Sequence, residues 1–458
     1  MSRIKQVLLI LTGGFILCFW AFYNHYPITF WDTGAYLYAG YHNAVPLDRP
    51  IIYGLFLRHV SMADSLWLVV LAQGLIVSLL VYYYFYYLTA SRFRGTFFLF
   101  YIFLLTFLTG ASFTVSTLMP DIFTSVALLS LGLLLMVRQM KIRDLIIICF
   151  LFVLGISVHN SHIMIVFTVL FVISILWLFR KFRLKLEFLS TKKLIISWIL
   201  LFCATGGVSL THHALGKTWA ISRGTHMFMM ARLADLGILQ DYLQKNCWYK
   251  DYRICAYKDE IPWDFLWDAE KSPVYKTGGW EANRLEYNAI IQNIFRQPEY
   301  TKIFISRSFE SSFKLFFSFD TGEMPKQYEG TNTFTMIQKK FGMQVKEYFS
   351  ARQCNTGIDF TFVNKLQLLL LSFGFFALIC LLFSGITLKH RFLIAFILGS
   401  LYINALICAA FSGVFDRYQS RIAWMLLLPL MLMLADPSLT ETFFRRVKTF
   451  FIKLPVHE

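Results

Sequence analysis

Ten apolar stretches, separated by short polar segments, constrain this chain more than any other feature of its sequence. A membrane-spanning helix needs about 20 mainly apolar residues, and the stretches reach that length alone or with their flanks. A soluble core could not bury them all, so the sequence predicts an all-α integral membrane protein with about 10 transmembrane helices. The predicted spans are 7–23, 65–88, 96–115, 122–137, 145–159, 162–179, 194–211, 364–386, 392–411 and 422–435.

Lysine and arginine lie mostly in short clusters between these stretches, and the clusters all fall on one side of the membrane. By the positive-inside rule that side is the cytoplasm, which places both termini there. The same distribution accounts for the net charge of +16 without nucleic-acid binding. The composition, rich in Lys, Phe and Ile and without an organelle signal, favours a bacterial inner membrane. The clusters are Arg3/Lys5, Arg92/Arg94, Arg138/Lys141/Arg143, residues 180–193, Lys389/Arg391 and Arg445/Arg446/Lys448.

The opposite side receives five polar segments, at residues 24–64, 119–121, 159–162, 212–363 and 412–421. This topology divides the chain into three parts. Residues 1–211 form an N-terminal transmembrane module whose first external loop, 24–64, is expected to contain interfacial helices. Residues 212–363 form a periplasmic domain, and residues 364–458 form a C-terminal transmembrane module with a cytoplasmic tail. The pair 145–159 and 162–179 is also compatible with a re-entrant hairpin.

The periplasmic domain is expected to be small and mostly helical. Apolar residues recur with helical spacing in 226–244 and 283–317, and strand-like alternation is sparse. Cys247 and Cys255 lie eight residues apart on the oxidising side, where they could form a disulfide. Cys354 is the competing partner, so the pairing stays open at this point.

Ionisable residues are concentrated in the external turns, and ionisable groups near membrane depth usually mark a substrate path. Asp32 follows the first span and Asp121 precedes the fourth. Each also has a simpler explanation, because an aspartate at a helix start can cap the helix or interact with its dipole. The five turns can form one site only if the helices bring them together.

Histidines in two other turns are open to both interpretations. His159 and His162 flank a tight turn, where they could bind substrate or only satisfy backbone carbonyls. His212 and His213 end a predicted span, where imidazoles suit the helix dipole. For this second pair the structural explanation is favoured.

The segment 416–421, DRYQSR, carries two arginines on the outer side, against the general charge bias. Arg417 and Arg421 are four residues apart and would share one helical face. Guanidinium groups bind phosphate in a forked geometry. We therefore favour a phosphate-binding role over an interfacial anchor with snorkelling side chains.

The first external loop has a distinctive order of residues. Asp32 is followed by Tyr36, Tyr38, Pro46, Arg49-Pro50 and Tyr53. This order resembles the first external loop of GT-C type glycosyltransferases, a superfamily that includes protein O-mannosyltransferases and lipid A aminoarabinose transferases. Asp121, in the second external turn, and an extramembrane domain at 212–363 fit the same layout. The chain departs from many members in having Thr33 rather than a second acidic residue after Asp32, and it lacks a WWDYG-like motif.

The resemblance implies transfer of a sugar from a polyprenyl-phosphate donor to a lipid, glycan or protein acceptor at the periplasmic face, among membrane lipids. Asp32 would be the general base, Arg417, Arg421 and Arg49 would stabilise the phosphate, and Asp121 would orient the acceptor. Tyr53, His159, His162 and Gln419 complete the predicted substrate-binding set. No cofactor is certain; Asp32 and Asp121 would be the ligands if a divalent cation is used. The alternatives are a transporter or flippase for a lipid-linked or anionic substrate, and a non-enzymatic protein of envelope assembly.

Overall fold

A computed structural model describes residues 2–179, 186, 188–384 and 386–436. All regular secondary structure in these residues is helical, which confirms the predicted all-α class. The basic cluster Arg445/Arg446/Lys448, the C terminus and part of the cluster at 180–193 lie outside the described residues. In chain order the α-helices are α1 Arg3–Leu17, α2 Phe19–Asn24, α3 Thr33–His42, α4 Ile52–Val60, α5 Trp67–Leu88, α6 Arg94–Leu108, α7 Ala111–Ser116, α8 Ile122–Met136, α9 Ile142–Ser157, α10 Asn160–Leu178, α11 Thr191–Gly216, α12 Thr225–Asp235, α13 Ile238–Asn246, α14 Pro273–Lys276, α15 Gly279–Ala282, α16 Arg284–Phe295, α17 Pro298–Phe316, α18 Asn332–Lys340, α19 Val345–Ser350, α20 Thr361–Leu382, α21 Leu388–Phe411, α22 Asp416–Ala423 and α23 Leu428–Ala435.

In the described part of the chain, 6 helical segments are long and apolar enough to cross a membrane. Five of them are α5, α10, α11, α20 and α21, and the sixth is the continuous run Asp416–Ala435. This supports a membrane protein but does not confirm about ten spans. The remaining predicted spans coincide with α1, α6, α8 and α9, whose lengths are 15, 15, 15 and 16 residues.

Two of the shorter helices end where the chain bends and then continue as a second helix. The backbone leaves the helical conformation at Cys18, and α2 follows directly. Thr109, whose backbone is extended, separates α6 from α7 in a similar way. In the last segment a 3₁₀ turn, Trp424–Leu427, precedes Pro429, which cannot donate a backbone hydrogen bond.

The short helix α8 lies at the centre of the bundle, and all 15 of its residues are buried. It packs against α5, α9, α10, α11, α21 and α22. A helix that is apolar on every side is stable only when it is enclosed on every side, and α8 fulfils that condition. Asp121, at the start of α8, is thereby placed at the end of the bundle core.

The first external loop folds into the helices α3 and α4, which run in the same direction and cross at Gly40 and Gly54. A Cβ atom at Gly40 would lie 2.0 Å from the Gly54 carbonyl oxygen, so only glycine permits this approach. Helix α18 packs on α3 in the same direction, and the Gly34 amide donates to Thr333 Oγ1 at 3.2 Å.

A single isolated bridge holds this loop against the second external turn. The Ile28 amide donates to the Ser116 carbonyl at 2.9 Å, and the Leu118 amide donates to the Ile28 carbonyl at 2.8 Å. Thr33 Oγ1 also donates to the Leu118 carbonyl at 3.1 Å. Because Asp32 and Asp121 follow these contacts within a few residues, the bridge fixes the two turns relative to each other.

The external segment between α11 and α20 has two parts. Residues of α12, α13, α16 and α17 share a core of their own around Met230, Leu239, Tyr242 and Ile290. Helices α18 and α19 instead add residues such as Met336 and Tyr348 to the main core. Cys247 and Cys255 form a disulfide in the first part, whereas Cys354 is a free thiol in the second.

Candidate functional site

Asp32 and Arg49 form an ion pair at the end where α3 and α4 begin. Arg49 Nη2 lies 3.1 Å from Asp32 Oδ1 and 2.5 Å from Asp48 Oδ2. The guanidinium also lies over the Tyr36 ring, 4.9 Å from its centroid. The Arg49 side chain is 10% exposed and that of Asp32 is 30% exposed, so the Asp32 carboxylate is the accessible member of the pair.

Asp32 occupies the N-cap position of α3, but its side chain accepts no capping hydrogen bond. Asp121 has the same position in α8 and also makes no side-chain cap. Helix capping was the simpler explanation for both residues, and their side chains pair with arginines instead. Both carboxylates are therefore held by ion pairs, Asp32 within the first external loop and Asp121 across the bundle.

Asp121 pairs with Arg421 in the buried interior, with Nη1 and Oδ1 3.2 Å apart and side-chain exposures of 9% and 2%. Arg421 Nη2 donates to Asn404 Oδ1 at 3.0 Å and to Cys408 Sγ at 3.3 Å. Asn404 Nδ2 in turn donates to Gln419 Oε1 at 2.9 Å. Gln419 thus supports the residue that holds Arg421.

Arg417 lies one turn before Arg421 and has very different surroundings. Its guanidinium packs over the Phe30 ring at 4.2 Å. Its Nε and Nη1 atoms are buried and have no hydrogen-bond partner among the residues that the structure describes. The negative charges that act on it include Asp121, Asp32 and Glu323. Buried donors of this kind are nearly always satisfied in proteins, so Arg417 is suited to an anionic ligand.

The histidines near residue 160 are mainly engaged within the protein. His162 Nδ1 donates to the Gly155 carbonyl at 2.7 Å, which leaves Nε2 to accept from Thr124 Oγ1 at 2.7 Å. Both ring nitrogens are thus occupied, and the structural interpretation is favoured for His162. His159 caps α10 by accepting from the Ser161 amide.

The charges that act on His159 show that three arginines converge near its imidazole. Burial is the largest cause that lowers its pKa well below the ordinary value, followed by the positive charges of Arg421, Arg49 and Arg417. Three arginines from two other external turns therefore act on one imidazole. The structure brings the ends of α3, α8, α10 and α22 into one electrostatic cluster, which we call the outer cluster: Asp32, Arg49, Asp121, His159, Arg417 and Arg421.

Glu323 borders the outer cluster, although no sequence motif marks it. Partial burial raises its pKa, while Arg417 lowers it and Asp121 and Asp416 raise it. The residue lies in the external segment before α18, 94 residues before Arg417. The only sequence signal was an acidic pair, Asp320 and Glu323, next to Gly322 and Pro325.

Tyr53, from the predicted substrate-binding set, and the histidines His212 and His213 make contacts that serve the fold. The buried Tyr53 hydroxyl donates to Gln73 Oε1 at 2.9 Å. His212 accepts from the Ile51 amide at 3.1 Å through Nε2 and contacts the Ala220 carbonyl at 2.6 Å. His213 stacks on Trp219, with ring centroids 4.0 Å apart. These contacts tie the first external loop to α5 and α11.

A divalent cation would need a group of oxygen or nitrogen ligands. In the described ranges no three or more His, Cys, Asp or Glu side chains form such a group. Asp32 and Asp121, the predicted ligands, each pair with a different arginine. Use of a divalent cation by these two carboxylates stays a prediction.

We found no family model, no curated protein and no solved structure that matches this chain. The geometry of the outer cluster and the residue order of the first external loop are therefore the features that bear on function.

Proposed function

We propose that this chain is a membrane glycosyltransferase of the GT-C type, which moves a sugar from a polyprenyl-phosphate donor to a lipid, glycan or protein acceptor. The observation that carries the proposal is the proximity of an accessible carboxylate, Asp32, to a guanidinium with free donors, Arg417. Arg417 packs on Phe30, two residues before Asp32, and lies in the electrostatic field of that carboxylate. Group transfer from a phosphate ester needs both a base and a cation for the leaving phosphate.

In the proposed reaction the acceptor hydroxyl oxygen forms a bond to the anomeric carbon of the sugar. The bond between that carbon and the phosphate oxygen breaks, and its electron pair stays on the polyprenyl phosphate. Asp32 takes the proton of the acceptor hydroxyl, for which it must lie within hydrogen-bond reach. The products are the glycosylated acceptor and the free polyprenyl phosphate, so atoms and charge balance.

Negative charge grows on the phosphate as this bond breaks, and donors fixed before the reaction stabilise that charge without reorganisation. Arg417 fits this role because its free donors already lie in a buried environment. Arg49 and Arg421 are bound to carboxylates, and we assign them to holding Asp32 and Asp121 in position. In this assignment Asp121 would influence the orientation of the acceptor only indirectly, through its ion pair with Arg421.

We further propose that the chain crosses a bacterial inner membrane about ten times with both termini in the cytoplasm. Supporting this, α1 with α2, α6 with α7, α8 and α9 fill the bundle between the longer spans. A short helix such as α8 is tolerated at membrane depth because it is surrounded by protein rather than lipid. The outer cluster would then face the periplasm.

The enzyme proposal is tested with Asp32→Asn, which keeps the size of the side chain and removes the base. Wild-type and variant proteins, present at equal levels in cells lacking the native gene, are compared by mass spectrometry of envelope lipids, glycans and proteins. The proposal predicts that a sugar modification present with the wild type is lost with the variant. Asp64→Asn, an exposed carboxylate of the same loop, is the matched control and should retain the modification.

Unchanged modification with Asp32→Asn would remove Asp32 from the catalytic role. Topology is tested separately by single-cysteine labelling at positions next to Asp32 and Arg417. Both positions should react with a membrane-impermeant maleimide added from the periplasmic side. Labelling only from the cytoplasm would overturn the proposed orientation.

A further inference from the structure

A second polar feature lies at the opposite end of the first external loop. It is a cleft of about 610 Å³ between the ends of α4 and α18. Its lining is dominated by cationic and aromatic side chains. The residues that define it are Tyr41, Arg58, His59, Met62, Lys339 and Lys340.

The parallel course of α3, α4 and α18 separates this cleft from the outer cluster. All three helices begin near Asp32 and Arg49, and their last turns surround the cleft. Tyr41 lies nine residues after Asp32, which is roughly 14 Å along a helix. The Tyr41 and Ser61 hydroxyls are 2.9 Å apart, and the Phe341 ring packs edge-on against Tyr41 at 5.7 Å.

The cations of the cleft are not neutralised by acidic partners. No ion pair joins Arg58, Lys339 or Lys340 to a carboxylate within the described residues. Arg58 Nη1 donates to Asn43 Oδ1 at 2.9 Å, and Lys340 lies over the Tyr41 ring at 5.6 Å. Helix C-termini do favour basic residues, but that preference needs no shared cleft. Like charges around one concave surface attract an anion.

The position of the cleft, next to a helix long enough to span the membrane, indicates which kind of anion it binds. Its wall at residues 58–63 immediately precedes α5, an apolar helix long enough to span the membrane from Trp67. Tryptophan at such a helix start is typical of the headgroup region. Met62, on the rim, is 77% exposed. Met62 and Ala63 both have left-handed backbone conformations, with φ of 53° and 56°, which are costly for residues other than glycine.

We propose that this cleft binds the phosphate headgroup of an anionic membrane lipid, with Lys339, Lys340 and Arg58 as its charge partners and Met62 next to the acyl chains. This site is separate from the outer cluster and does not depend on glycosyl transfer. A bound lipid would join the last turns of α4 and α18, which are connected in the protein by few polar contacts.

The test uses the purified full chain in a nonionic detergent. Native mass spectrometry counts bound lipid during titration with phosphatidylglycerol, phosphatidylcholine or soluble glycerol phosphate. Phosphatidylglycerol should bind and raise the unfolding temperature, whereas the other two should do neither. Lys339→Gln/Lys340→Gln should weaken phosphatidylglycerol binding roughly 30-fold, because each basic residue near a membrane surface contributes about 1 kcal/mol.

Lys271→Gln/Lys276→Gln is the matched control, since it removes the same charge from the exposed surface and includes a lysine over a tyrosine ring, Lys276 on Tyr257. It should bind phosphatidylglycerol like the wild type. Equal binding by the Lys339→Gln/Lys340→Gln protein, provided that it unfolds at the wild-type temperature without lipid, would overturn the proposal. Equal binding of phosphatidylcholine, or a response to glycerol phosphate alone, would also overturn it.

Discussion

Arg417 and Arg421 lie one turn apart on the same helix, yet the protein treats them in opposite ways. Arg421 is 2% exposed, pairs with Asp121 and is held by Asn404 and Cys408, and of its donors only Nε lacks a partner among the described residues. Arg417 packs on Phe30, and its Nε and Nη1 atoms have no partner in the described part of the chain. We infer that Arg421 stabilises the fold, whereas the donors of Arg417 are available for a ligand.

The same contrast separates the two carboxylates. Asp121 is enclosed with its arginine, whereas Asp32 shares Arg49 with Asp48 and remains 30% exposed. A reacting group must be reachable, and a buried structural charge must have an opposite charge beside it. By this criterion Asp32 and Arg417 take part in the reaction, whereas Asp121 and Arg421 have a structural role in positioning them.

The largest expected effect follows from breaking the enclosed pair. Arg421→Gln leaves Asp121 as a buried charge without its partner, which typically costs about 3–5 kcal/mol of stability. Chemical unfolding in detergent measures this loss. Arg421→Gln combined with Asp121→Asn should recover part of it, because no uncompensated charge remains. A single variant as stable as the wild type would mean that the pair is not structural.

Arg417→Gln should behave in the reverse manner. Because Arg417 has few polar contacts to lose, its unfolding free energy should change by less than about 1 kcal/mol. Sugar transfer should fall about 100-fold or more, as expected when a preorganised donor to the leaving group is removed. Parallel transfer and unfolding measurements on both arginine variants check this. Equal loss of stability in the two would erase the distinction between them.

A smaller loss of stability is expected for a substitution at Asn404, which accepts a hydrogen bond from Arg421. Asn404→Ala removes the amide that accepts from Arg421 and donates to Gln419, and leaving such buried groups unsatisfied costs about 1–3 kcal/mol. The expected loss is thus smaller than for Arg421→Gln. Ser400→Ala, a buried hydroxyl on the same helix that has no described partner, serves as the control and should cost less. A reversed order would contradict the role given to Asn404.

The smallest effect concerns His159 and pH. Burial and three arginines lower the pKa of His159 in the folded protein, so the unfolded chain takes up the proton first. The contribution of His159 to the free energy of unfolding should therefore be fully present above about pH 6.5. Below that pH the free energy of unfolding should decrease, by up to about 1.4 kcal/mol per pH unit. His159→Asn keeps a helix cap but cannot titrate in this range, so its unfolding free energy should fall less steeply. Identical pH profiles of the wild type and His159→Asn would contradict the placement of His159 among the arginines of the outer cluster.

Much of this arrangement was accessible from the sequence because it depends on local pattern. The length of the apolar stretches predicts the helical membrane class, and unusual polarity marks the outer turns that contain Asp32, Asp121, His159 and Arg417. The alternation of basic clusters predicts that these turns lie on one face. These inferences need no knowledge of which helix packs on which.

Long-range pairing was not accessible, because it is determined by tertiary packing. The sequence could not show that Arg421 reaches Asp121, 300 residues away, or that Glu323 borders the same cluster. Nor could it distinguish capping from ion pairing at Asp32 and Asp121, since both begin helices. The close approach of Gly40 and Gly54, which directs α3 and α4 away from the outer cluster, is also a property of the folded chain.

The central claim is that Arg417, and not Arg421, is the cation kept free for a phosphate ligand. It is tested most directly by equilibrium binding of a polyprenyl phosphate to the wild type and Arg417→Gln, with folding checked by unfolding temperature. We predict binding at least tenfold weaker in the variant, corresponding to about 1.4 kcal/mol, with an unchanged unfolding temperature. Wild-type affinity in a folded Arg417→Gln protein would contradict the account.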